Sequence, residues 1–184
     1  MHTLYLFLAQ GFEETEAVAT LDVLRRAGLN TITVSITDSR KVTGAHHITV
    51  EADALFDECD FTNGAMLILP GGMPGTRNLQ AFAPLSKLIM DYYSNGKYLA
   101  AICAAPVILG NMHLLRNTEA ICYPGYEEEL AGAVLSKQSV VRSGKIITAK
   151  GAGVALQFGL KIVETLIGKE KADEIAEAMI LPKQ

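Results

Sequence analysis

Cys103 has the chemistry-bearing side chain in the most suggestive local setting. It follows Tyr98-Leu-Ala-Ala-Ile102, a run apolar enough for a buried strand, and precedes Ala104-Ala105-Pro106, small residues that lead into a helical pattern. Proline is tolerated in the first turn of a helix, so the spacing predicts a helix over 104–115. A cysteine at such a sharp strand-to-helix turn occupies the position of a nucleophile elbow, although the G-x-S-x-G consensus is absent. Free N–H groups at a helix start lower a thiol pKa, which predicts a thiolate nucleophile. The competing reading is a buried cysteine acting as a small hydrophobe, and the segment by itself leaves both open. Cys59 and Cys122 show no comparable junction and read as packing residues.

The groups that could assist a thiolate come from two loops. Glu13, Glu14 and Glu16 cluster where a helix begins, a place that favours acidic residues electrostatically. That accounts for Glu13 and Glu14. Glu16 lies further in, beside the apolar Ala17 and Val18, where burial would raise its pKa and let it donate a proton. Pro70-Gly71-Gly72 is small enough for backbone N–H groups to approach a reacting oxygen and form an oxyanion site. It lacks the G-x-x-x-x-G-K-[ST] phosphate loop, and no G-x-G-x-x-G dinucleotide fingerprint follows the first strand. Histidine is the gap. His113 is ten residues past Cys103, roughly 15 Å along a helix. His46 and His47 fall in a hairpin pattern and His2 is terminal, so no imidazole is an evident base.

These residues need a scaffold, and the chain alternates strand-length apolar runs with helical patterns. Leu4–Ala9, Thr31–Thr37, Ala65–Leu69 and Tyr98–Ile102 read as strands, with Ala120–Tyr123 as a short one. Residues 42–50 read as an edge strand or hairpin, and 140–142 with 146–149 flank Ser143-Gly144-Lys145 as a second hairpin. Helical spacing covers 14–27, 84–94, 154–167 and 171–179. Strands separated by helices imply a parallel sheet covered on both faces, with functional loops at the carboxyl ends of the strands. At 184 residues and 49% hydrophobic, the chain suits one domain spanning 1–184 with a sizeable core. Its net charge of -4 offers no basic stripe for nucleic acid. No apolar run reaches the ~20 residues that cross a bilayer. Three sparse cysteines without disulfide or metal spacing, and no signal-like segment at the start, point to a reduced cytoplasmic protein.

Taken in order, Gly11-Phe-Glu-Glu-Thr-Glu16, Leu21-Asp-Val-Leu-Arg-Arg-Ala-Gly28, Leu69-Pro-Gly-Gly72, Ala101-Ile-Cys-Ala-Ala-Pro106 and Gly151-Ala-Gly153 resemble the ThiJ/PfpI family. The likeness is greatest to the branch of the Parkinsonism-associated deglycase and chaperone. The resemblance spans nearly the whole chain. It implies a flavodoxin-like three-layer α/β sandwich of class I glutamine amidotransferase type, with a mostly parallel central sheet and a reactive cysteine at the elbow. It implies that Cys103 and Glu16 are catalytic, that Gly72 and Ala104 offer backbone N–H groups, and that Glu13, Gly71 and Tyr123 border the substrate. A homodimer is implied, without cofactor or metal, acting on small reactive carbonyls or glycated substrates in the manner of a glyoxalase or deglycase. Alternatives within the family are a redox sensor or chaperone using Cys103 oxidation, and a hydrolase or amidase. A thiamine-pathway label also occurs there, but this sequence shows no phosphate-binding chemistry for it. Two departures stand out. Tyr123 replaces a family histidine before proline, and a phenol is a poor base at neutral pH. His46 falls near a family arginine that reaches across the dimer.

Overall fold

The first strand shows how the sheet is covered. Successive side chains of a strand point to opposite faces, so a continuous apolar run must be buried on both. Leu4, Leu6 and Leu8 enter one core together with Phe12, Val23, Phe158 and Ile162. Tyr5, Phe7 and Ala9 enter the other with Leu79, Ile89, Tyr92 and Ile108. The computed structural model describes residues 3–182.

Among the described residues eleven strands run in chain order: β1 (Thr3–Leu8), β2 (Asn30–Ser35), β3 (Lys41–Thr43), β4 (Thr49–Glu51), β5 (Ala54–Leu55), β6 (Gly64–Leu69), β7 (Tyr98–Ile102), β8 (Glu119–Ala120), β9 (Val134–Leu135), β10 (Val140–Ser143) and β11 (Ile146–Ala149). The helices are α1 (Glu14–Arg26), α2 (Gly75–Ala81), α3 (Ala83–Ser94), α4 (Pro106–Asn111), α5 (Ala155–Leu166) and α6 (Lys169–Ala178). The central sheet has seven strands in the order β10-β11-β7-β6-β1-β2-β5. All its pairings are parallel except β10 with β11. Helices α1, α5 and α6 cover one face, and α2, α3 and α4 the other. This is the α/β sandwich with a mostly parallel sheet that the alternating pattern predicts.

From β1 the chain order proceeds outward in both directions, to β2 on one side and to β6 on the other. Crevices in such sheets open where the order reverses, at the carboxyl ends of the strands. The loops after β1 and β6 meet there. Glu13 N–H donates to Gly71 O at 2.9 Å, and Gly75 N–H donates to Gly11 O at 3.0 Å.

Three expectations are corrected. The helix expected over 104–115 is regular only over Pro106–Asn111, between Cys103 at φ 64° and His113 at φ 59°, left-handed conformations that a right-handed helix does not contain. Ala120–Tyr123 is strand only at Glu119–Ala120, where β8 pairs with β9. Helix α2 was not anticipated, because the glycines and prolines of residues 70–75 read as loop into its first turn.

Candidate active site

The elbow is held by hydrogen bonds on both sides. Cys103 N–H donates to Ala149 O at 2.9 Å, and Cys103 O accepts from Tyr123 N–H at 2.7 Å. Ala105 N–H closes the turn onto Ile102 O at 3.0 Å. A non-glycine residue at φ 64° costs on the order of 1–3 kcal/mol and persists only where its surroundings over-determine it. The small side chains of Ala104 and Ala105 are buried directly behind the turn, at 3% and 0% exposure.

Glu16 rises from the first turn of α1 into the same crevice. It is 1% exposed. Its Oε2 accepts from Gly71 N–H at 2.8 Å, while Oε1 is buried without a hydrogen-bond partner. Burial pushes the Glu16 carboxyl up to about 7, against the opposing hydrogen bonds of Cys103 and Gly71 and with help from the Glu13 charge. Burial and the charge of an ionised Glu16 in turn push the Cys103 thiol up to about 12, while the backbone N–H groups of Ala104 and Gly72 favour the thiolate. The expected cause, a helix start beside the sulfur, is absent. Helix α4 begins three residues later, so the sulfur meets two amides and a carboxyl rather than a helix terminus.

The two acids titrate together. A carboxylate with a buried, unpartnered oxygen is the costly form, whereas a proton on Oε1 gives that atom a donor and removes the negative charge beside the sulfur. The geometry therefore favours the proton on Glu16 and the charge on Cys103.

A cavity of about 140 Å³ opens in front of the sulfur, lined by Gly72, Met73, Cys103, Ala104, Tyr123 and Tyr126. Gly72 and Ala104 thus border the cavity in front of the sulfur. Tyr123 is half exposed and forms part of the wall. Gly71 lies behind that wall, with its N–H on Glu16. Glu13 caps α1, its Oε2 accepting from Glu16 N–H at 2.6 Å, and does not line the cavity. Met73 and Tyr126 are wall residues that sequence reasoning missed. The spacing Tyr123-Pro-Gly-Tyr126, with two aromatics on one turn, was the available signal.

Among the described residues no histidine lines the cavity. His46 sits on the β3–β4 hairpin, its backbone N–H donating to Glu14 Oε1 at 2.7 Å and its Nδ1 lying 2.9 Å from Oε2. Ile48 N–H adds a third bond to Glu14 at 3.3 Å. Glu14 is thus a buried anchor for that hairpin rather than a surface residue at a helix start. Among the described residues, Glu13, Glu14 and His46 bring ligand atoms within 4.8 Å of one another, but Glu14 already serves the hairpin. His2 lies outside the described residues.

The profile of the DJ-1/PfpI family matches residues 2–165. The chain belongs to this family. Protein DJ-1 homolog B of Arabidopsis thaliana is 36% identical over 176 residues, covering 95% of this chain and 40% of that protein. The chain thus spans less than half the length of that relative, and likewise 46% of Arabidopsis DJ-1 homolog A. Among relatives of matching length is the Caenorhabditis elegans glutathione-independent glyoxalase DJR-1.2, 30% identical over 98% of this chain and 96% of that one. The DJ-1/PfpI likeness extends to solved structures. Oxidized Toxoplasma gondii DJ-1 superposes with a TM-score of 0.95 at 32% identity, covering 100% of both chains. The C103A mutant of a Salmonella typhimurium DJ-1 superfamily protein gives a TM-score of 0.94 at 31% identity, again over 100% of both chains. The flavodoxin-like architecture is that of these DJ-1 neighbours.

Proposed function

We propose that this DJ-1/PfpI protein is a cysteine-dependent enzyme that converts small reactive carbonyls such as methylglyoxal to hydroxy acids, with Cys103 as nucleophile and Glu16 as acid and base. The observation that carries the reading is the buried Glu16 carboxyl beside Cys103, its Oε1 without a hydrogen-bond partner and its pKa about 7. A group poised near the working pH can both give and take a proton. The name of the C. elegans relative supports the reaction class.

The Cys103 thiolate adds to the aldehyde carbon, forming a C–S bond, while Gly72 and Ala104 N–H groups hold the resulting alkoxide. Protonated Glu16 gives its proton to that oxygen and becomes a carboxylate. The carboxylate removes the hydrogen from the same carbon to give an enediolate. The hydroxyl proton passes to the neighbouring oxygen, and Glu16 returns its proton at the neighbouring carbon. The aldehyde carbon is thereby oxidised to a thioester and its neighbour reduced to an alcohol, so no external redox partner is consumed. Water then cleaves the thioester, releasing lactate and the thiol. The chemistry calls for no cofactor or metal. We take 1–184 as one working domain, cytoplasmic and paired as a homodimer. Among the described residues no helix is long and apolar enough to cross a membrane.

The test is methylglyoxal loss and lactate formation by wild type and by Cys103→Ser. Turnover abolished by the substitution supports the enzyme. The second reading, a redox sensor or chaperone, is favoured by the same carboxyl, since protonated Glu16 would donate a hydrogen bond to an oxidised sulfur. Absent turnover with selective peroxide oxidation of Cys103 would favour it. Cys–His hydrolase or amidase chemistry is disfavoured by the cavity, which has no imidazole in its wall.

A further inference from the structure

We propose that Tyr123 and Tyr126 make the Cys103 cavity selective for neutral carbonyls with an apolar or aryl substituent, and against carbonyls that carry a negative charge. The proposal deepens the reading of Cys103 as nucleophile but does not depend on turnover.

The wall is the first argument. Gly72, Met73, Cys103, Ala104, Tyr123 and Tyr126 include no lysine, arginine or histidine. The surroundings are acidic. Glu16 stands behind the sulfur, and Glu127, Glu128 and Glu129 form the 3-10 turn that follows Tyr126. Burial, then the charges of Glu127 and Glu129, push the neighbouring Cys122 thiol up to about 12. Arg77, a cation beside this turn, is already committed. Arg77 donates from Nη1 and Nη2 to the two oxygens of Glu129 at 2.9 and 2.7 Å, and from Nη1 to Gln80 at 2.9 Å. An entering carboxylate or phosphate would lose water and find no cationic side chain in the wall.

The rings are held in place, which is the second argument. Tyr123 N–H is bonded to Cys103 O at 2.7 Å, so its Cα moves with the nucleophile. Its ring lies over Gly151, where an added Cβ would come within 3.3 Å of Cδ2. Tyr126 N–H donates to Tyr123 O at 3.2 Å, and Glu129 N–H returns to Tyr126 O at 3.0 Å. The Arg77–Glu129 pair therefore ties the turn that carries Tyr126 to α2. The two rings meet edge to face at 6.5 Å and 62°. Such a wall offers an incoming aryl or alkyl group aromatic contact without a charge to satisfy.

The test alkylates Cys103 with iodoacetamide, iodoacetate and N-benzyl iodoacetamide, using glutathione for the intrinsic ratios. Wild type should favour iodoacetamide over iodoacetate by about tenfold or more beyond glutathione, the effect of an uncompensated charge in a low-dielectric site. It should favour the benzyl reagent over iodoacetamide by roughly fivefold beyond glutathione, through ring contact. Tyr123→Ala/Tyr126→Ala should abolish the benzyl preference, Tyr126→Arg should erase most of the charge discrimination, and the exposed control Tyr93→Ala should change neither ratio. Glutathione-like ratios in wild type, or a benzyl preference surviving in the double variant, would overturn the proposal. Initial rates with phenylglyoxal and 4-carboxyphenylglyoxal, both of which offer an aldehyde beside a ketone, separate it from the catalytic reading. Selective alkylation with no turnover of either removes the enzyme and keeps the selectivity. Equal kcat/KM for both keeps the enzyme and removes the selectivity.

Discussion

Cys103 and Glu16 face each other across Gly71 with no space between them for a methyl group. A Cβ at Gly71 would lie 2.7 Å from Cys103 Cβ, 2.8 Å from Glu16 Oε2 and 3.0 Å from Ala104 N. The pair can share a proton only because residue 71 has no side chain. Gly71→Ala should therefore separate the two groups, cost about 1–3 kcal/mol through overpacking, and lower carbonyl turnover by at least about tenfold, since a displacement near 1 Å at reacting groups has that scale of effect. Urea denaturation and methylglyoxal kinetics on the folded variant measure the two effects. Unchanged kinetics would mean the contact has no catalytic consequence.

Glu16 also makes stability depend on pH with a predictable sign. Its carboxyl is raised from 4.5 to about 7 in the folded protein, so across that window the folded state keeps a proton the unfolded state has lost. Wild type should lose stability as pH rises from 4.5 to 7, by a total on the order of 3 kcal/mol. Glu16→Gln has nothing to ionise. Its stability relative to wild type should climb over the same window, as read by urea denaturation at pH 5 and pH 8. A pH-independent difference would show that Glu16 does not titrate as described.

The shared proton has a kinetic signature as well. If it resides on Glu16, iodoacetamide should alkylate Cys103 with a rate that rises around pH 7, below the ordinary thiol value of ~8.5. Cys122, fully buried, and Cys59, whose thiol is raised by burial, should react more slowly, as peptide mapping would show. A rise delayed to higher pH would place the proton on sulfur.

Tyr123 stands at the position where the family resemblance expects histidine. Its side chain lines the cavity, and the bond to Cys103 is made by its backbone. Tyr123→Phe should therefore cost at most one hydrogen bond in the transition state, roughly 0.5–1.5 kcal/mol, seen as kcat/KM for methylglyoxal. Tyr123→His should change the pH profile little if Glu16 performs each proton transfer. Complete loss in Tyr123→Phe would make the phenol catalytic. A large gain in Tyr123→His, with an optimum tracking an imidazole, would assign the limiting step to a missing base.

Glu14 anchors the β3–β4 hairpin from the end of α1 that also carries Glu16. Burial opposes its charge, but hydrogen bonds from His46 and Ile48 outweigh it and hold the carboxyl below its usual value. Its stabilisation is thus present above pH 4.5 and is lost as pH falls through the lowered pKa. Glu14→Ala leaves the His46 and Ile48 N–H groups without their acceptor and should cost about 1–3 kcal/mol. Hydrogen exchange should accelerate at residues 41–51. Unchanged protection there would show that the hairpin is held by other contacts.

How far the fold was legible follows from which of its causes are local. Leu4 to Leu8 announce burial on both faces, because any strand with that run must hide alternate side chains on opposite sides. The Cys103 elbow was legible from its small neighbours, and the loop after β6 from its glycines. Helix α2 and the short α4 were misread, because proline and glycine rules describe tendencies that tertiary hydrogen bonds at residues 72–76 and 103–105 override. Glu14 looked like a residue suited to a helix start. Nothing local signals that its acceptors would be taken by residues more than thirty positions away.

By itself, the sequence determined the class of scaffold, the candidate nucleophile and the loops that approach it, since these depend on hydrophobic period and on side-chain size over a few residues. Tertiary structure alone decided what those groups are chemically. Burial and neighbouring charge are sums over residues distant in the chain, so the raised Glu16, the thiol governed by a carboxyl rather than a helix end, and the Tyr126 wall exist only once α1, β6, β7 and the 123–130 turn come together.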